Sequence, residues 1–479
     1  MDKLSLLKKY FSFSIGIWIN AIISFFTTPV VTYLINPSEF GKATLFSTAY
    51  SMFLLVVLSG LPNSFMRFFP KQDEEQLGSF LWSCLLFPLI FTLIISLLLF
   101  VFSGYINLFL VGESHSIATI LLIGSLITGV FQTFNSTVIR VKGKGFLYSL
   151  IQVLQSLSQV VFVILYAKFV DQSFYCLLYA QLFSSIFALA IGIIFEHNYW
   201  FPIRINKRKA LEALKYGYPF VFSGLLWWLL QWTDRFVLRL YTDFNEIGLY
   251  SVTFKIVSAM NLLTSGFSTL WYPFAYEHYE KNPDGGAFFS KALDYVAFLT
   301  FSIGFLVLTF KDVIFLLLAK TYRPSASISP FLLLSPIMTM ISIVIARGID
   351  FSKKTYWFIV SDGCATVFNL IGNLLLIPSY GAKGAALSTG LSFVIVFAIE
   401  STVSKRLYPA QYNLVKIYIV TALFCISAMF HTLSTFHLFP SIFSSAMLIV
   451  TLYLYKSEFT DVLRELVTLS QELFKRGKA

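Results

Sequence analysis

Long apolar runs follow one another along this chain and limit what it can fold into. A helix needs about 20 mostly apolar residues to cross the hydrocarbon core of a bilayer. Because lipid offers no partner for unpaired backbone groups, such runs cross it as helices. The chain is therefore predicted to be an all-α integral membrane protein. About 14 transmembrane helices are expected, at 10–35, 43–66, 79–103, 117–139, 147–167, 174–195, 216–238, 248–274, 288–310, 326–346, 356–377, 384–404, 412–430 and 438–455.

Composition supports a polytopic membrane protein and argues against other classes. Charged residues make up only 12% of the 479 residues, against about 25% in soluble domains. The loops between the runs are too short for a soluble catalytic domain, so no enzyme is expected. The net charge of +11 arises from basic loops rather than a basic arm, which argues against nucleic acid as a partner.

Cysteine and histidine spacing indicates no metal site and no bound cofactor. The four cysteines lie singly in apolar runs without paired spacing, and the five histidines are scattered near the ends of runs. The segment Lys142-Gly143-Lys144-Gly145 lacks the spacing of a nucleotide-binding loop. ATP hydrolysis is therefore not expected.

Basic residues predict the orientation. If the N-terminus is cytoplasmic, most loop Lys and Arg residues lie on the inside, with the richest loop at 204–215. An even number of spans also places the C-terminus in the cytoplasm. Residues 457–479 carry apolar residues at helical spacing followed by basic ones, which predicts a cytoplasmic amphipathic helix on the inner leaflet. Packing on the protein's own loops fits the same pattern.

The chain repeats itself at an offset of about 207 residues. Lys9-Tyr10 precedes the first span and Lys215-Tyr216 the seventh. Ser38–Gly41 follows the first span, and Asn245–Gly248 follows the seventh. Six spans per unit is an even number, so the two units are parallel pseudo-repeats. The repeat predicts an N-lobe at 1–205 (spans 1–6), a C-lobe at 206–410 (spans 7–12) and two further spans at 411–456.

Two charges interrupt the Trp-rich seventh run. Asp234 and Arg235 stand side by side among apolar residues. A charge at the bilayer centre costs roughly 2.5–3.5 kcal/mol, and such residues usually face a partner or a water-filled pathway. Alternatively, the helix ends early and both residues lie near the headgroups.

Several motifs resemble those of bacterial polysaccharide exporters and occur along this chain in the same order as in that family. These are O-antigen-type flippases of the multidrug/oligosaccharidyl-lipid/polysaccharide superfamily. The resemblance covers nearly the whole chain, most clearly 1–70 and 215–405, whereas the last two spans match only in being hydrophobic. The motifs are Pro37–Gly41, Arg67-Phe68, Trp232–Leu238, Ile247–Val252 with Lys255, Trp271–Phe274 and Asn373–Ala386.

The resemblance implies a flippase that works by alternating access in the bacterial inner membrane. Its substrate would be an undecaprenyl-diphosphate-linked oligosaccharide, moved from the cytoplasmic to the outer leaflet for O-antigen or lipopolysaccharide synthesis. A polysaccharide polymerase and glycosyltransferases are the expected partners besides membrane lipids. Coupling to an H⁺ or Na⁺ gradient is expected of the superfamily.

The residues suggest which side chains serve such a substrate. Arg67, Arg235 and Lys255 are candidates for the phosphates, because Arg binds phosphate in a bidentate manner and Lys acts as a point charge. Gln152, Gln155 and Gln159 share one helix face and are candidates for sugar hydroxyls. Asp234 and Asp362 are candidates for ion coupling. Snorkelling of Arg67 and Lys255, interhelical amide bonds and a solvated span end at Asp362 are the structural alternatives.

Three other functions fit parts of the pattern. A multidrug-extrusion antiporter would share the fold, but cations outnumber anions among the candidate residues. A lipid II flippase would use the same mechanism with another glycan. A membrane polysaccharide polymerase would want a large, charged outer loop, which this sequence lacks.

Overall fold

The computed structural model describes residues 3–114, 117–201, 203–283, 285–408, 410–434 and 438–465. Throughout these ranges the regular structure is helical, without a strand. The predicted all-α class is confirmed.

Twelve α-helices occupy the first part of the described chain. They are α1 (Lys3–Leu34), α2 (Pro37–Leu58), α3 (Leu61–Phe68), α4 (Leu77–Val101), α5 (Ser103–Val111), α6 (Ala118–Val141), α7 (Gly145–Phe169), α8 (Tyr175–Phe195), α9 (His197–Trp200), α10 (Lys207–Gly217), α11 (Pro219–Tyr241) and α12 (Phe244–Val257).

The described remainder of the chain adds nine α-helices. They are α13 (Asn261–Lys281), α14 (Gly286–Thr309), α15 (Lys311–Phe315), α16 (Ser329–Leu332), α17 (Leu334–Ile345), α18 (Arg347–Phe351), α19 (Tyr356–Leu407), α20 (Leu414–Leu433) and α21 (Leu438–Leu454). Short 3-10 helices lie at Phe69–Lys71, Glu74–Gln76, Ser258–Met260 and Lys320–Ser327.

In the described ranges, ten helical segments are long and apolar enough to cross a membrane, or eleven if the bent pair at α21 is one span. Each of the fourteen predicted spans nevertheless overlaps a helix. Three predicted spans account for the remaining difference. Helix α19 holds two predicted spans, the part of α1 with continuously described side chains, Trp18–Leu34, is too short to count, and α11 carries internal charges. The chain is a multi-pass membrane protein.

The 52-residue helix α19 is broken at Gly381, whose φ is 54°. A residue with a side chain rarely adopts this left-handed conformation. Beyond the break, a Cβ on Gly384 would lie 2.5 Å from the carbonyl oxygen of Leu376. The segment Asn373–Ala386 therefore turns the chain between the eleventh and twelfth predicted spans.

The described residues group into two compact units. One comprises Met1–Ala259 with Leu318–Tyr322, and the other comprises Met260–Leu317 with Arg323–Ala479. The lobes predicted at 1–205 and 206–410 rest on the repeat, so their boundaries stay a prediction.

The repeat is visible in the bounds and caps of the helices. Helix α1 ends at Leu34 and α11 ends at Tyr241, 207 positions later. The side chain of Asn36 accepts the first-turn amide of α2, from Glu39, at 3.0 Å. The side chain of Asp243 accepts the equivalent amide of α12 at 2.9 Å. Both N-caps satisfy amides that a helix start leaves without an intrahelical partner.

The two repeated motifs pack against each other through their glycines. A Cβ on Gly41 would lie 1.9 Å from the carbonyl oxygen of Phe244, and a Cβ on Gly248 would lie 1.9 Å from that of Pro37. Only glycine, which has no Cβ, leaves room for the two backbones to approach this closely. The N-terminal ends of α2 and α12 thus cross in reciprocal contact within the first unit.

Residues after α21 begin the predicted C-terminal amphipathic helix. The described part, Lys456–Glu465, bends by 85° from α21. Its Phe459 ring lies 6.1 Å from that of Phe298, and Asp461 accepts a hydrogen bond from Tyr295 at 2.6 Å. This part packs on its own unit. The rest of the prediction, 466–479, lies outside the described residues.

Candidate functional site

Helix α11 carries the charged pair of the seventh run inside the protein. The helix continues to Tyr241, so Asp234 and Arg235 lie within it rather than at its end. Their exposed fractions are 0% and 1%. Charges buried this deeply require partners.

The partners of this pair lie on α11 and α12. The Tyr250 hydroxyl donates a hydrogen bond to Oδ2 of Asp234, and Nη1 of Arg235 lies 3.9 Å from the same oxygen. Nη1 also donates to the carbonyl oxygen of Gln231 at 2.8 Å. The carboxylate therefore joins α11 to α12 and partly neutralises the guanidinium.

Aromatic rings surround the Arg235 guanidinium. Its carbon lies 4.7 Å from the ring centre of Trp232, 5.0 Å from Tyr250 and 4.4 Å from Phe254. Each such contact is worth about 2 kcal/mol when desolvated. Its Nε is buried without a hydrogen-bond partner in the described structure. The arginine is thus held rigidly, with donor capacity to spare.

A cavity of about 390 Å³ opens beside this pair. Helices α1, α2, α7, α8, α11 and α12 contribute to its wall, together with the 3-10 helix after α12. We call it the cation cavity, because its described lining includes two basic side chains and no carboxylate. Its polar lining residues are Ser24, Thr44, Ser47, Gln159, Gln181, Arg235, Ser251, Lys255 and Ser258.

Of the two basic residues in the cavity wall, Lys255 has fewer charged neighbours than Arg235. Its side chain is half-buried on α12, and within the described ranges it forms no ion pair. A lysine in a cavity whose described lining includes hydroxyls and amides but no carboxylate is suited to bind an anion as a point charge. Amides and hydroxyls around it can bind neutral polar groups.

The predicted glutamine face divides between two roles. The Gln152 amide accepts from Asn20 at 3.4 Å, and the Gln155 amide accepts from Gln132 at 3.4 Å and donates to Ser185 at 3.3 Å. These two link helices. Gln159 instead lines the cation cavity.

The remaining predicted residues lie elsewhere. Arg67 is exposed at the end of α3 and is not part of the cavity wall. Asp362 is half-buried on α19 in the second unit. The structure thus brings together Arg235, Asp234, Lys255 and Gln159 of the predicted set.

A buried carboxyl in the second unit escaped the sequence analysis. Glu400 on α19 is 6% exposed, with Oε1 at 3.5 Å from the Ser361 hydroxyl. Nearby, Arg347 pairs with Asp350 and lies 4.5 Å from the ring centre of Tyr272. Glu400 precedes Lys405 and Arg406 by only a few residues, so in sequence it looks like part of a solvated span end.

The Pro37–Gly41 motif has a structural task. Glu39 accepts the backbone amide of Phe174, just before α8, at 2.8 Å, and pairs with Lys42 at 2.8 Å. The motif therefore connects α2 to α8 as well as to α12. No cluster of potential metal ligands occurs within the residues that the structure describes.

Comparison with known proteins relates this architecture to two kinds of transporter. The solved structure "Lipid II flippase MurJ, inward closed conformation" matches with a TM-score of 0.70 at 16% identity, covering 95% of this chain and 99% of that one. An inward-facing multidrug resistance MATE family transporter of the MOP superfamily matches with a TM-score of 0.57 at 14% identity, covering 83% and 97%. At these identities the likeness shows the fold.

A curated relative is similar in sequence over part of its length. It is described as "Probable low-salt glycan biosynthesis flippase Agl15" of Haloferax volcanii and is 22% identical over 226 residues. The match spans 46% of this chain and 47% of the relative, about half of each. The family model described as "Polysaccharide biosynthesis protein" matches residues 6–277, more than half of the chain. The resemblance to polysaccharide exporters is thereby confirmed, and the chain belongs to the family of polysaccharide biosynthesis proteins.

Proposed function

We propose that this protein is a flippase for a lipid-linked oligosaccharide rather than an enzyme. It moves the glycan, carried on undecaprenyl diphosphate, from the cytoplasmic to the outer leaflet of the bacterial inner membrane by alternating access. There the repeat unit feeds a surface polysaccharide such as O-antigen, with a polymerase and glycosyltransferases as partners. Both termini are cytoplasmic in this proposal.

The cation cavity is the observation that carries the proposal. A diphosphate and its sugars cannot cross hydrocarbon unaided, because desolvating their charges and hydroxyls costs too much free energy. The cavity provides Lys255 and Arg235 for phosphate oxygens, and Gln159 and Gln181 for sugar hydroxyls. Charge-assisted bonds to phosphate are roughly twice as strong as neutral ones.

The same cavity argues against a cationic drug as the substrate. Lys255 forms no ion pair in the described ranges and would repel a cation, and the described wall holds no carboxylate to attract one, although Asp234 behind it partly neutralises Arg235. The polymerase alternative receives no support from the described loops, which are short and connect helices directly.

The decisive cellular experiment is to delete the protein and locate the lipid-linked glycans in the membrane. We expect complete units to accumulate with the glycan on the cytoplasmic side, and the sugars would identify the substrate. Unchanged pools with new sensitivity to cationic drugs would favour the antiporter. Complete but unpolymerised units on the outer face would favour the polymerase.

A substitution at Lys255 tests the cavity itself. Removing a charged hydrogen-bond partner costs about 1.5–3 kcal/mol, so Lys255→Ala should slow translocation roughly ten- to a hundredfold. Lys255→Arg should retain most of the rate because it keeps the charge. The measurement is glycan translocation into proteoliposomes containing equal amounts of folded protein.

Lys168→Ala is the matched control, because Lys168 is exposed near the end of α7 and lies outside the cavity wall. It should translocate at the wild-type rate. Wild-type translocation by Lys255→Ala would remove the cavity from the substrate pathway.

A further inference from the structure

A second, apolar cavity lies in the first unit beside the cation cavity. It measures about 520 Å³ and is bordered by α2, α5 and α11. We call it the aromatic groove. The lining described for it contains no charged side chain, and its main walls are Met52, Phe53, Ile106, Phe109, Leu229 and Phe236. Cavities of this size usually hold a small apolar ligand or part of a larger one.

The walls of the groove are fixed in place by their own contacts. The indole Nε1 of Trp228 donates to the Ser51 hydroxyl at 2.9 Å. The Phe236 ring stacks on Phe109 with centres 5.9 Å apart and lies 5.7 Å from Trp228. Since these rings brace one another across α5 and α11, the groove is preformed.

Arg239 holds the short helix α5 at the side of the groove. Its Nε donates to the carbonyl oxygen of Phe109 at 2.7 Å, and its Nη2 donates to that of Leu108 at 3.2 Å. These carbonyls belong to the last turn of α5, and that of Leu108 also accepts the backbone amide of Gly112 at 3.1 Å. The groove stays open beside this helix, since Tyr105 is 79% and Leu229 39% exposed.

Two helices line both cavities. On α11, Trp232 and Arg235 border the cation cavity, whereas Thr233 and Phe236 border the groove. On α2, Thr44 and Ser47 border the first, and Met52 and Phe53 border the second. A cavity with two basic side chains and an apolar groove therefore lie on adjacent faces of one helix. This arrangement matches a ligand with an anionic head and a hydrocarbon tail.

We propose that the aromatic groove binds the first isoprene units of the transported lipid while its diphosphate occupies the cation cavity. This proposal rests on the proposed function and assigns the site for the carrier tail. Bilayer hydrocarbon is as apolar as the groove, so the groove gains little from the hydrophobic effect. Its contribution is van der Waals contact with rigid rings, which positions the head for entry into the cation cavity.

The test fills the groove and varies the length of the carrier. Leu229→Trp and Ile106→Trp each place a large side chain in the groove. Leu240→Trp is the control: it places the same side chain on α11 outside the groove, at a position that is 64% exposed. Each variant is reconstituted in proteoliposomes. One diphosphate-linked glycan is then supplied on undecaprenyl and on a carrier of two isoprene units.

Loss of tail positioning should slow the undecaprenyl substrate about tenfold or more. The short carrier should be translocated at the wild-type rate by the groove variants, and Leu240→Trp should match wild type with both carriers. If the groove variants moved both carriers at the wild-type rate, or slowed both carriers by the same factor, the proposed tail site would be wrong. A wild-type protein that moves neither carrier would instead overturn the proposed function.

A second measurement does not depend on the variants folding. Wild-type protein in vesicles is irradiated with a farnesyl diphosphate that carries a photoreactive group on its tail, and the labelled peptides are identified. Labelling of α5 and α11 that undecaprenyl diphosphate competes away is expected. Labelling of other helices would overturn the proposal. Labelling of the groove that phospholipid but not undecaprenyl diphosphate displaces would assign the groove to ordinary lipid and would also overturn it.

Discussion

Arg235 and Lys255 share a cavity, yet their surroundings give them different tasks. Arg235 is enclosed by three aromatic rings and lies beside Asp234, whereas Lys255 lines the cavity from α12 and forms no ion pair in the described ranges. The sequence alone predicts that loss of Arg235 cripples transport with little loss of folded protein. Its burial changes that expectation, because removing one partner of a buried pair leaves an uncompensated charge.

Arg235→Ala should therefore lower stability by roughly 3–5 kcal/mol as well as transport. The measurement is the thermal midpoint of the detergent-purified variant, followed by size-exclusion chromatography. Adding Asp234→Asn should restore part of the midpoint, because the leftover charge is then removed. A normal midpoint with abolished transport would mean that Arg235 serves the substrate alone.

A further charge cluster stabilises a loop at the end of α8. Glu196, which is 3% exposed, pairs with Lys142 at 2.8 Å and with Lys144. Burial works to lower the pKa of Lys142, but hydrogen bonds and charge from Glu196 and Tyr199 outweigh it and raise that pKa. A raised lysine pKa stabilises the fold at all pH values below the ordinary lysine range and loses this effect only in strong alkali. The contribution of Lys142 to stability therefore does not change with pH near neutrality.

At the scale of elements, the crossing of α2 and α12 depends on two glycines. A methyl group at either position would overlap a backbone carbonyl of the other helix, which no rotamer change can relieve. Both helices line the cation cavity, so moving them apart would also move Lys255 on α12 away from the part of the wall that α2 forms.

We expect Gly248→Ala to destabilise the protein by about 1–3 kcal/mol or more and to reduce transport. Thermal midpoints and transport rates of purified protein provide the measurement. Gly104→Ala is the control, because a Cβ at Gly104 in α5 meets nothing within 4 Å. If Gly248→Ala matched this control, the close crossing of α2 and α12 would be disproved.

At the scale of the whole molecule, two sets of charges inside predicted spans lie in different compact units. The first unit holds the cation cavity, and the second holds Asp362 and Glu400, which lie on α19 on either side of the break at Gly381. Acidic residues inside spans commonly carry protons or cations in transporters. The predicted coupling to H⁺ or Na⁺ therefore has its better candidates in the second unit, since Asp234 is occupied by Tyr250 and Arg235.

Glu400→Gln should remove the dependence of transport on an imposed H⁺ or Na⁺ gradient while leaving substrate binding intact. The neutral amide keeps the shape of the side chain but cannot exchange a proton or bind a cation as strongly. Proteoliposomes with and without the gradient provide the measurement, and Glu277→Gln, an exposed pair partner of Lys281, is the control. Full gradient dependence in Glu400→Gln would exclude this residue from coupling.

The sequence by itself determined the features that depend on local chemistry. The length of apolar runs specified helices long enough for a bilayer, and the repeat of Ser38–Gly41 at Asn245–Gly248 indicated two equivalent segments, which the structure shows to be the capped starts of α2 and α12. The motifs around Trp232–Leu238 and Asn373–Ala386 indicated the family. These signals are readable because hydrophobic length, helix capping and turn formation act within a few residues along the chain.

Only the tertiary structure decided which polar groups face one another. It enclosed Arg235 in rings from two helices, left Lys255 in the cavity wall, and used Gln152 and Gln155 to link helices. It also buried Glu400 and built the aromatic groove from three separate helices. The rotation of each helix about its axis sets these outcomes, and packing between distant segments sets that rotation. In a chain that is apolar nearly all round its helices, the sequence pattern leaves that choice open.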